Sequence, residues 1–209
     1  MTKTQNHMSH DRALKIKLVL FDVDGVLTDG TIWLFPAPHL GTLSTDAHAQ
    51  QHGGAGGFGI VSSTMIEAKG FNAHDGTAIT LAHMGGLKAG IVTKRISETV
   101  ALRARDLKLD YVFQGIAKKS EVLDKILAEG TMRAEEVCYV GDDVIDLPIM
   151  RRCGLAIAVA NARPQVMKIA HYITPSRGGE GAARDAVEYV LKAQGKLDGV
   201  IEAYISDRT

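Results

Sequence analysis

The hydrophobic and polar positions of this chain divide it into short apolar runs separated by longer amphipathic segments. The short runs are rich in valine, isoleucine and leucine, which is typical of strands buried on both faces of a parallel sheet. The predicted strands cover residues 18–21, 89–93, 111–113, 137–140, 155–159 and 172–173. The predicted helices cover residues 76–84, 97–108, 119–129, 145–153, 164–169 and 181–193. Strands that alternate with crossover helices predict an α/β fold built on a doubly wound parallel sheet.

A different pattern interrupts the alternation after the first strand. Residues 31–35 are rich in β-branched and aromatic side chains and predict the start of a hairpin, which the strand-like runs 59–63 and 65–71 would complete. Residues 36–59 consist mainly of glycine, alanine, histidine, glutamine, serine and threonine, a composition that cannot build a core. We therefore expect one domain of 209 residues, with a small hairpin and a mobile surface loop inserted at about 31–72.

The composition argues against several classes of partner. Lysine and arginine together number 24, as do aspartate and glutamate, so no excess of positive charge predicts binding to nucleic acid or to a membrane surface. No apolar run approaches the length of a membrane span, and the polar residues 1–13, expected to form a loose arm, lack the core of a signal peptide. Cys138 and Cys153 lack CxxC spacing and are expected to be buried free thiols. These features predict a cytoplasmic protein.

Two carboxylates follow the first predicted strand. Asp22 and Asp24 lie at its carboxyl end, just before Gly25 allows the chain to turn. Ligands of open α/β sheets bind at this end of the strands. Residues two apart in an extended chain point the same way, so both carboxylates can face one site, and such a pair is costly unless it shares a cation or a proton. The alternative is a strand that merely ends in an acidic turn.

A denser group of carboxylates follows the predicted strand 137–140. Asp142, Asp143 and Asp146 lie within five residues of one another, directly after Gly141. Like charges so close together repel one another and are explained by a hard cation with oxygen ligands. A capped helix start would account for one of these aspartates but hardly for three.

Two further residues lie where other strand ends would meet Asp22. Thr93 ends the strand 89–93, and its hydroxyl and backbone N–H are suited to hold a phosphoryl oxygen, although a lone threonine there is more often a helix cap. Lys119 opens a predicted helix, where lysines are usually solvated. The neighbouring Lys118 leaves open which of the two lysines would reach the site.

In order and spacing, these residues resemble the four motifs of the haloacid dehalogenase-like phosphohydrolases. The motif residues are Asp22, Asp24, Thr93, Lys119, Asp142 and Asp143. Longer segments resemble the branch that contains the phosphatases of 3-deoxy-D-manno-octulosonate 8-phosphate and of acylneuraminate 9-phosphates. These segments are FDVDGVLTDG at 21–30, FNAHDG at 71–76, QGIAKK at 114–119, GDDVID at 141–146, RGGEGAAR at 177–184 and LKAQGKLD at 191–198. The resemblance covers nearly the whole chain except residues 1–13 and 36–59, and it implies the Rossmann-like haloacid dehalogenase fold.

The resemblance implies a role for each aspartate. Asp22 would attack the phosphorus and become an aspartyl-phosphate, while Asp24 would protonate the leaving sugar oxygen and then deprotonate the hydrolytic water. Mg2+ would be held by Asp22, Asp142 and the backbone carbonyl of Asp24. Asp143 and Asp146 would lie in or near the shell of the metal.

The resemblance further implies that Thr93 and Lys119 bind the remaining phosphoryl oxygens, where charge accumulates. The sequence departs from the family at two positions. Lys94 stands where glycine is usual, and His74 stands where an arginine is common. The second departure bears on the substrate, because His74 is a candidate for substrate contacts.

Other substrate contacts are expected in the glycine-rich segment 177–184. Arg177 is favoured for an anionic substrate, since a guanidinium matches a carboxylate through two hydrogen bonds. Glu180 is a second candidate in the same segment. For Glu180 and Arg184 the alternative is a glycine-rich turn before the helix 181–193.

Only 25 residues separate Thr93 from Lys119, and the composition of the longer gap after Asp24 does not suggest a folded cap domain, so the site of a single chain would be open to solvent. The resemblance implies that this openness is relieved in a homotetramer. There, a hairpin from each chain would form a central barrel, and a neighbouring subunit would help to cover the site.

By this resemblance the chain would be a Mg-dependent phosphatase of lipopolysaccharide biosynthesis that acts on 3-deoxy-D-manno-octulosonate 8-phosphate. The tail 191–198 favours this substrate, whereas the segment 177–181 resembles the phosphatases of nonulosonate 9-phosphates, and both substrates stay open. A phosphotransferase or mutase is a further hypothesis, but nothing in the sequence offers a second acceptor pocket. A non-catalytic assembly module of the same fold is another, and the retention of every catalytic motif argues against it.

Overall fold

Six parallel strands form the central sheet in the part of the chain that the structure describes. The computed structural model describes residues 3–36, 47–52, 57–62 and 65–206. The strands, numbered along the chain, are β1 Leu18–Phe21, β2 Trp33–Pro36, β3 Ala47–His52, β4 Gly57–Ser62, β5 Met65–Ala68, β6 Lys88–Val92, β7 Arg95–Ile96, β8 Tyr111–Phe113, β9 Val137–Gly141, β10 Leu155–Ala158 and β11 Tyr172–Ile173. The helices are α1 Lys3–Ala13, α2 Ala73–Met84, α3 Glu98–Asp106, α4 Ser120–Ala128, α5 Leu147–Met150, α6 Pro164–Ile169, α7 Ala182–Ala193 and α8 Leu197–Ile205.

The order of the central strands confirms the predicted topology. The sheet runs β11-β10-β9-β1-β6-β8, so the chain builds outward from β1 through β6 and β8 on one side and through β9, β10 and β11 on the other. This is a doubly wound α/β sheet. Phe21 at the end of β1 is in register with Ile91 of β6 and with Val140 of β9. The carboxyl ends of the three central strands therefore lie side by side.

The core lies around the middle of this sheet. All residues of β1, β9 and β10 are buried, as expected of strands that helices cover on both faces. The predicted burial of Cys138 and Cys153 as free thiols is confirmed. Among the described helices, none combines the length and the apolar character that a bilayer crossing requires.

Both ends of the chain are more ordered than the sequence predicted. The expectation of a loose arm over 1–13 is wrong, because Lys3–Ala13 forms helix α1, which Arg12 anchors by donating from Nη1 to the Gly154 carbonyl at 2.6 Å. Over residues 8–13, where the burial of α1 is described, the buried residues Ser9 and Ala13 are small, so this part of the helix has no apolar stripe that a periodicity argument would detect. Helix α8 was likewise not predicted.

The hairpin insertion consists of two strand pairs. β2 and β5 pair antiparallel, with Trp33 opposite Ala68, so the run 65–71 completes the hairpin as predicted, whereas the run that begins at 59 belongs to β4 and does not pair with β2. The expectation of an unstructured loop over 36–59 is wrong in part, since β3 pairs antiparallel with β4, and β4 runs parallel to β7. Ladder hydrogen bonds use the backbone, which every residue type except proline supplies in full, so a composition poor in apolar residues does not prevent pairing. The remainder of that loop, 37–46 and 53–56, lies outside the described residues.

Candidate active site

Three strand ends bring the predicted carboxylates together. Asp22 directly follows β1, and its backbone N–H donates to the Val140 carbonyl of β9 at 3.0 Å. Asp142 directly follows β9. One carboxylate oxygen each from Asp22, Asp142 and Asp146 lies within 4.8 Å of the others. The parallel register of β1 and β9 thus creates the acidic cluster that the sequence predicted.

The turn after β1 requires a glycine. Gly25 has a φ of +93°, and a Cβ atom placed there would come within 2.3 Å of Asp142 Oδ2. Asp22 shapes the start of the same turn, because its Oδ1 accepts from the Val23 N–H at 2.7 Å. The turn therefore brings the two acidic loops into direct contact.

Lys119 is the lysine that enters the site. Its side chain is 1% exposed, and Nζ lies 2.7 Å from Asp22 Oδ2 and 2.7 Å from Asp146 Oδ1. Lys118 is largely exposed and pairs with Glu121 instead. Burial alone would lower the pKa of Lys119, but the two carboxylates outweigh it and raise that pKa, so the side chain is a cation.

Both carboxylate oxygens of Asp146 accept hydrogen bonds from neighbouring groups. Its Oδ1 accepts from Lys119 and from the Tyr139 hydroxyl at 2.8 Å, and its Oδ2 accepts from the backbone N–H groups of Asp142 and Asp143 at 3.0 and 3.2 Å. Tyr139 is a buried residue that the sequence reasoning missed. Asp146 therefore positions Lys119 and the loop after β9, rather than offering a free oxygen.

Asp142, by contrast, has an unused ligand atom. Its Oδ1 is buried and has no hydrogen-bond partner among the described residues. Burial raises the pKa of Asp142 to about 8, with a further contribution from the charge of Asp22, and burial raises the pKa of Asp22 to about 7 despite the neighbouring Lys119. Two carboxylates that resist ionisation and an unpaired buried oxygen fit a hard divalent cation such as Mg2+. Asp143 is exposed, and its Oδ1 accepts from the Val144 N–H at 2.7 Å.

Thr93 is buried at the end of β6, beside the strand that carries Asp22. Its backbone N–H donates to the Phe113 carbonyl at 2.9 Å and is therefore not free to bind a phosphoryl oxygen. Its hydroxyl oxygen accepts from the Arg95 N–H at 3.2 Å. The hydroxyl proton is thus the group with which Thr93 can bind a phosphoryl oxygen.

Lys94 stands where the family usually has glycine, and its backbone is not strained. Its φ is negative, because Lys108 has the only positive φ of any described non-glycine residue.

Sequence reasoning missed three charged residues around Asp24. Lys69 is completely buried, and its Nζ donates to Asp24 Oδ1. Glu67 pairs with Arg95, whose Nε lies 3.7 Å from Asp24 Oδ2. The available signal was the predicted strand 65–71, where Glu67 and Lys69 are two residues apart and so share a face.

The segment 71–76 anchors the glycine-rich segment that follows β11. The Asn72 side chain donates to the Gly179 carbonyl at 3.3 Å. The buried Asp75 accepts from the backbone N–H groups of Gly181 and Arg184 at 3.3 and 3.1 Å, which fixes the start of α7. These motif residues are structural rather than open to a ligand.

The glycine-rich segment lies directly on the turn after β1. A Cβ atom at Gly178 would come within 1.7 Å of the Gly25 carbonyl oxygen, so this contact excludes any other residue. The candidate substrate residues Arg177, Glu180 and His74 are exposed, and their side chains make no hydrogen bond or ion pair among the described residues. Their role in substrate binding stays a prediction.

Comparisons with known proteins place this arrangement in a family. The sequence profile of the haloacid dehalogenase-like hydrolases matches residues 91–185. Over 188 residues the chain is 34% identical to the 3-deoxy-D-manno-octulosonate 8-phosphate phosphatase of Yersinia pestis, an alignment that covers 90% of this chain and 86% of the relative.

Solved structures give the same result. A probable YrbI family phosphatase from Pseudomonas syringae superposes with a TM-score of 0.77 and 39% identity, covering 95% of this chain and 98% of the other. The 3-deoxy-D-manno-octulosonate 8-phosphate phosphatase of Moraxella catarrhalis, solved with a magnesium ion, a phosphate ion and a KDO molecule, superposes with a TM-score of 0.76 and 30% identity, covering 95% and 98%. The resemblance inferred from the motifs is thereby confirmed along nearly the whole chain.

Binding of Mg2+ should stabilise the folded protein, because it relieves the repulsion between Asp22 and Asp142. At a Mg2+ concentration 100 times the dissociation constant, we expect a gain of about 2.7 kcal/mol in the free energy of unfolding. For a chain of this size, that gain corresponds to a rise in Tm of roughly 5–10 °C. Thermal denaturation with Mg2+ and with a chelator measures the increment.

The Asp142→Asn variant should lose most of this increment, whereas Asp143→Asn should keep it, since Asp143 is exposed and lies outside the cluster. An equal Tm of the wild type with Mg2+ and with chelator would contradict a metal site at these residues.

Proposed function

Because this chain belongs to the haloacid dehalogenase-like hydrolases, in the branch of the 3-deoxy-D-manno-octulosonate 8-phosphate phosphatases, we propose that it hydrolyses 3-deoxy-D-manno-octulosonate 8-phosphate to the free sugar acid and phosphate. The observation that carries the proposal is the buried pair of Asp22 and Lys119 beside the unpaired Oδ1 of Asp142. The activity named for the relatives from Yersinia pestis and Moraxella catarrhalis supports the choice of substrate.

The reaction would proceed through two displacements at phosphorus. In the first, a bond forms from Asp22 to phosphorus while the bond from phosphorus to the sugar oxygen breaks, and Asp24 gives a proton to that oxygen. In the second, water attacks the phosphorus, Asp24 takes a proton from the water, and the bond to Asp22 breaks. The close sequence spacing of Asp22 and Asp24 supports this division of labour, since both would face the same phosphoryl group.

The acidic residues would hold the metal that the reaction needs. Asp22, Asp142 and the backbone carbonyl of Asp24 are the proposed ligands, supported by the unpaired oxygen of Asp142. A bound Mg2+ would offset the repulsion between the carboxylate nucleophile and the phosphate and would align the phosphoryl group for in-line attack.

Two side chains are suited to bind the phosphoryl oxygens. The Lys119 ammonium lies 2.7 Å from the nucleophile Asp22, so it is placed to neutralise charge that accumulates on the phosphoryl group. The hydroxyl of Thr93 has a proton to donate, as described above. Together they would bind oxygens that the metal does not.

Recognition of the sugar acid would fall to exposed residues at the rim. Arg177, Glu180 and His74 have free side chains on this surface, and Arg177 is suited to the carboxylate of the sugar acid.

The tail residues whose motif favours the octulosonate substrate hold the fold together instead of facing the site. Gln194 Nε2 donates to the Ile16 carbonyl and Lys196 Nζ to the Gly85 carbonyl, each at 2.8 Å.

We also propose that the protein is a homotetramer assembled through the ribbon of β2 and β5. Trp33, Phe35 and Ile66 are each about half exposed on this ribbon, and the rings of Trp33 and Phe35 stack. Exposed apolar side chains grouped in this way are typical of a protein–protein interface. We infer that other copies of this chain bind to this surface.

Replacement of the nucleophile tests the mechanism. For Asp22→Asn, we expect the release of phosphate from a generic phosphate ester in the presence of Mg2+ to fall by about 10³-fold or more, the scale seen when a nucleophile is removed. The matched control is Asp124→Asn, which changes an exposed aspartate that pairs with Arg152. Undiminished turnover by Asp22→Asn would show that another group attacks the phosphorus.

Comparison of substrates tests the specificity. We expect kcat/KM to be highest for 3-deoxy-D-manno-octulosonate 8-phosphate, at least about tenfold above nonulosonate 9-phosphates and simple sugar phosphates, because a tenfold preference requires only about 1.4 kcal/mol of differential binding. An Arg177→Met variant should lose this preference and retain turnover of a generic ester. If the nonulosonate phosphates are hydrolysed faster, the alternative substrate is the right one.

Light scattering tests the assembly. The wild type should have four times the chain mass of 22.4 kDa. The double variant Phe35→Ser/Ile66→Ser should dissociate, since it removes apolar area from the proposed interface. Leu102→Ser, at an equally exposed position on α3, should keep the mass. A fully active wild-type monomer would exclude the tetramer as a requirement.

A further inference from the structure

Four charged side chains form a closed ring of alternating sign beside the nucleophile. Lys69 Nζ donates to Asp24 Oδ1 and lies 3.6 Å from Glu67 Oε1. Glu67 pairs in turn with Arg95, and Arg95 Nε approaches Asp24 Oδ2 to 3.7 Å, which closes the ring. Asp24 is therefore held from two sides by cations.

The two contacts to Asp24 are unequal. Lys69 makes a hydrogen bond to Oδ1, whereas the distance from Arg95 to Oδ2 is too long for one. Oδ2 makes no hydrogen bond with any described residue, and the Asp24 side chain is one-fifth exposed. One carboxylate oxygen is thus anchored, while the other has no hydrogen-bond partner among the described residues.

The burial of Lys69 is costly and therefore informative. Its side chain is 0% exposed, and an ammonium group taken out of water is tolerated only where carboxylates compensate it. Glu67 provides this compensation, and Asp24 adds to it whenever its carboxylate is ionised. Glu67 and Lys69 come from β5 and the residue just after it, so the hairpin insertion supplies half of the ring.

We propose that Lys69 is a positioning residue for Asp24: it anchors Oδ1 so that Oδ2 faces the leaving oxygen. This inference rests on the proposed function. As the bond from Asp22 to phosphorus forms and the bond from phosphorus to the sugar oxygen breaks, the proton moves from Asp24 Oδ2 to that oxygen, and Lys69 itself exchanges no proton.

The competing explanation is that the ring only fastens the hairpin to the sheet. Both explanations predict a less stable Lys69→Met variant, so stability does not separate them. The leaving group does separate them, because the departure of an alkoxide from a sugar phosphate needs a proton donor, whereas p-nitrophenolate leaves without one.

The experiment compares kcat/KM for 3-deoxy-D-manno-octulosonate 8-phosphate and for p-nitrophenyl phosphate, both with Mg2+. For Lys69→Met, we expect a loss of about 10- to 100-fold on the sugar phosphate and of less than about threefold on the aryl phosphate. Lys118→Met, which removes an exposed lysine, should change neither value. If Lys69→Met does not fold, Lys69→Gln replaces it with the same expected losses, because its amide is uncharged and lies on a shorter side chain that does not reach Asp24 Oδ1 as the ammonium does.

A double-mutant cycle gives the second test. If Lys69 acts through Asp24, Asp24→Asn/Lys69→Met should be no slower on the sugar phosphate than Asp24→Asn alone. Equal losses on both esters, or additive losses in the double variant, would overturn the positioning role and leave the proposed function intact. A wild type that hydrolyses neither ester would overturn the proposed function, and this inference with it.

Discussion

The buried cation Lys119 balances only part of the negative charge that Asp22, Asp142 and Asp146 bring to one cluster. Its ammonium group lies 2.7 Å from both Asp22 and Asp146, while Asp142 keeps an oxygen without a partner. In the register of β1 against β9, the two parallel strands end side by side. The residues that follow them are therefore held close together. The unbalanced charge explains why burial and mutual repulsion raise the pKa values of Asp22 and Asp142. It also explains why these residues suit a divalent cation.

The parts of the fold that were predictable from sequence are those with strong local patterns. Continuous apolar runs marked β1, β9 and β10, and the acidic residues after β1 and β9 marked the site. The parts that were not predictable depend on contacts between distant segments. In the part of helix α1 whose burial is described, the buried residues are small, such as Ser9, and Arg12 holds the helix to Gly154, which lies 142 residues further along the chain. No periodicity within residues 1–13 encodes that contact.

In the candidate site, too, local sequence patterns predicted some residues, whereas others depend on contacts between distant segments. The sequence did not show whether Lys118 or Lys119 reaches the site. Adjacent residues at the start of a helix point in different directions, and only the packing of the helix on the sheet determines which one faces the site. Glu67 and Lys69 were missed because the sequence of a strand in an insertion does not show where that strand packs against the central sheet. Asp75 belongs to the motif 71–76 that marks this branch, and its carboxylate accepts from the backbone N–H groups at the start of α7. Motifs that mark this branch therefore combine residues of the site with residues that hold its loops.

The ribbon of β2 and β5 has two faces with different tasks, and its register keeps them apart. Ile66 faces outward with Trp33 and Phe35, while Glu67 and Lys69 face the site. Side chains alternate along a strand, so the insertion or deletion of one residue within β5 would exchange the faces, turning an apolar side chain toward Asp24 and a charge toward the outer surface. The connection between β2 and β5 has a register of its own, because its strand β4 pairs with β7 and places Phe58 opposite Arg95. A change of one residue in β5 would thus alter the outer surface and the surroundings of Asp24, the proposed proton donor, at the same time.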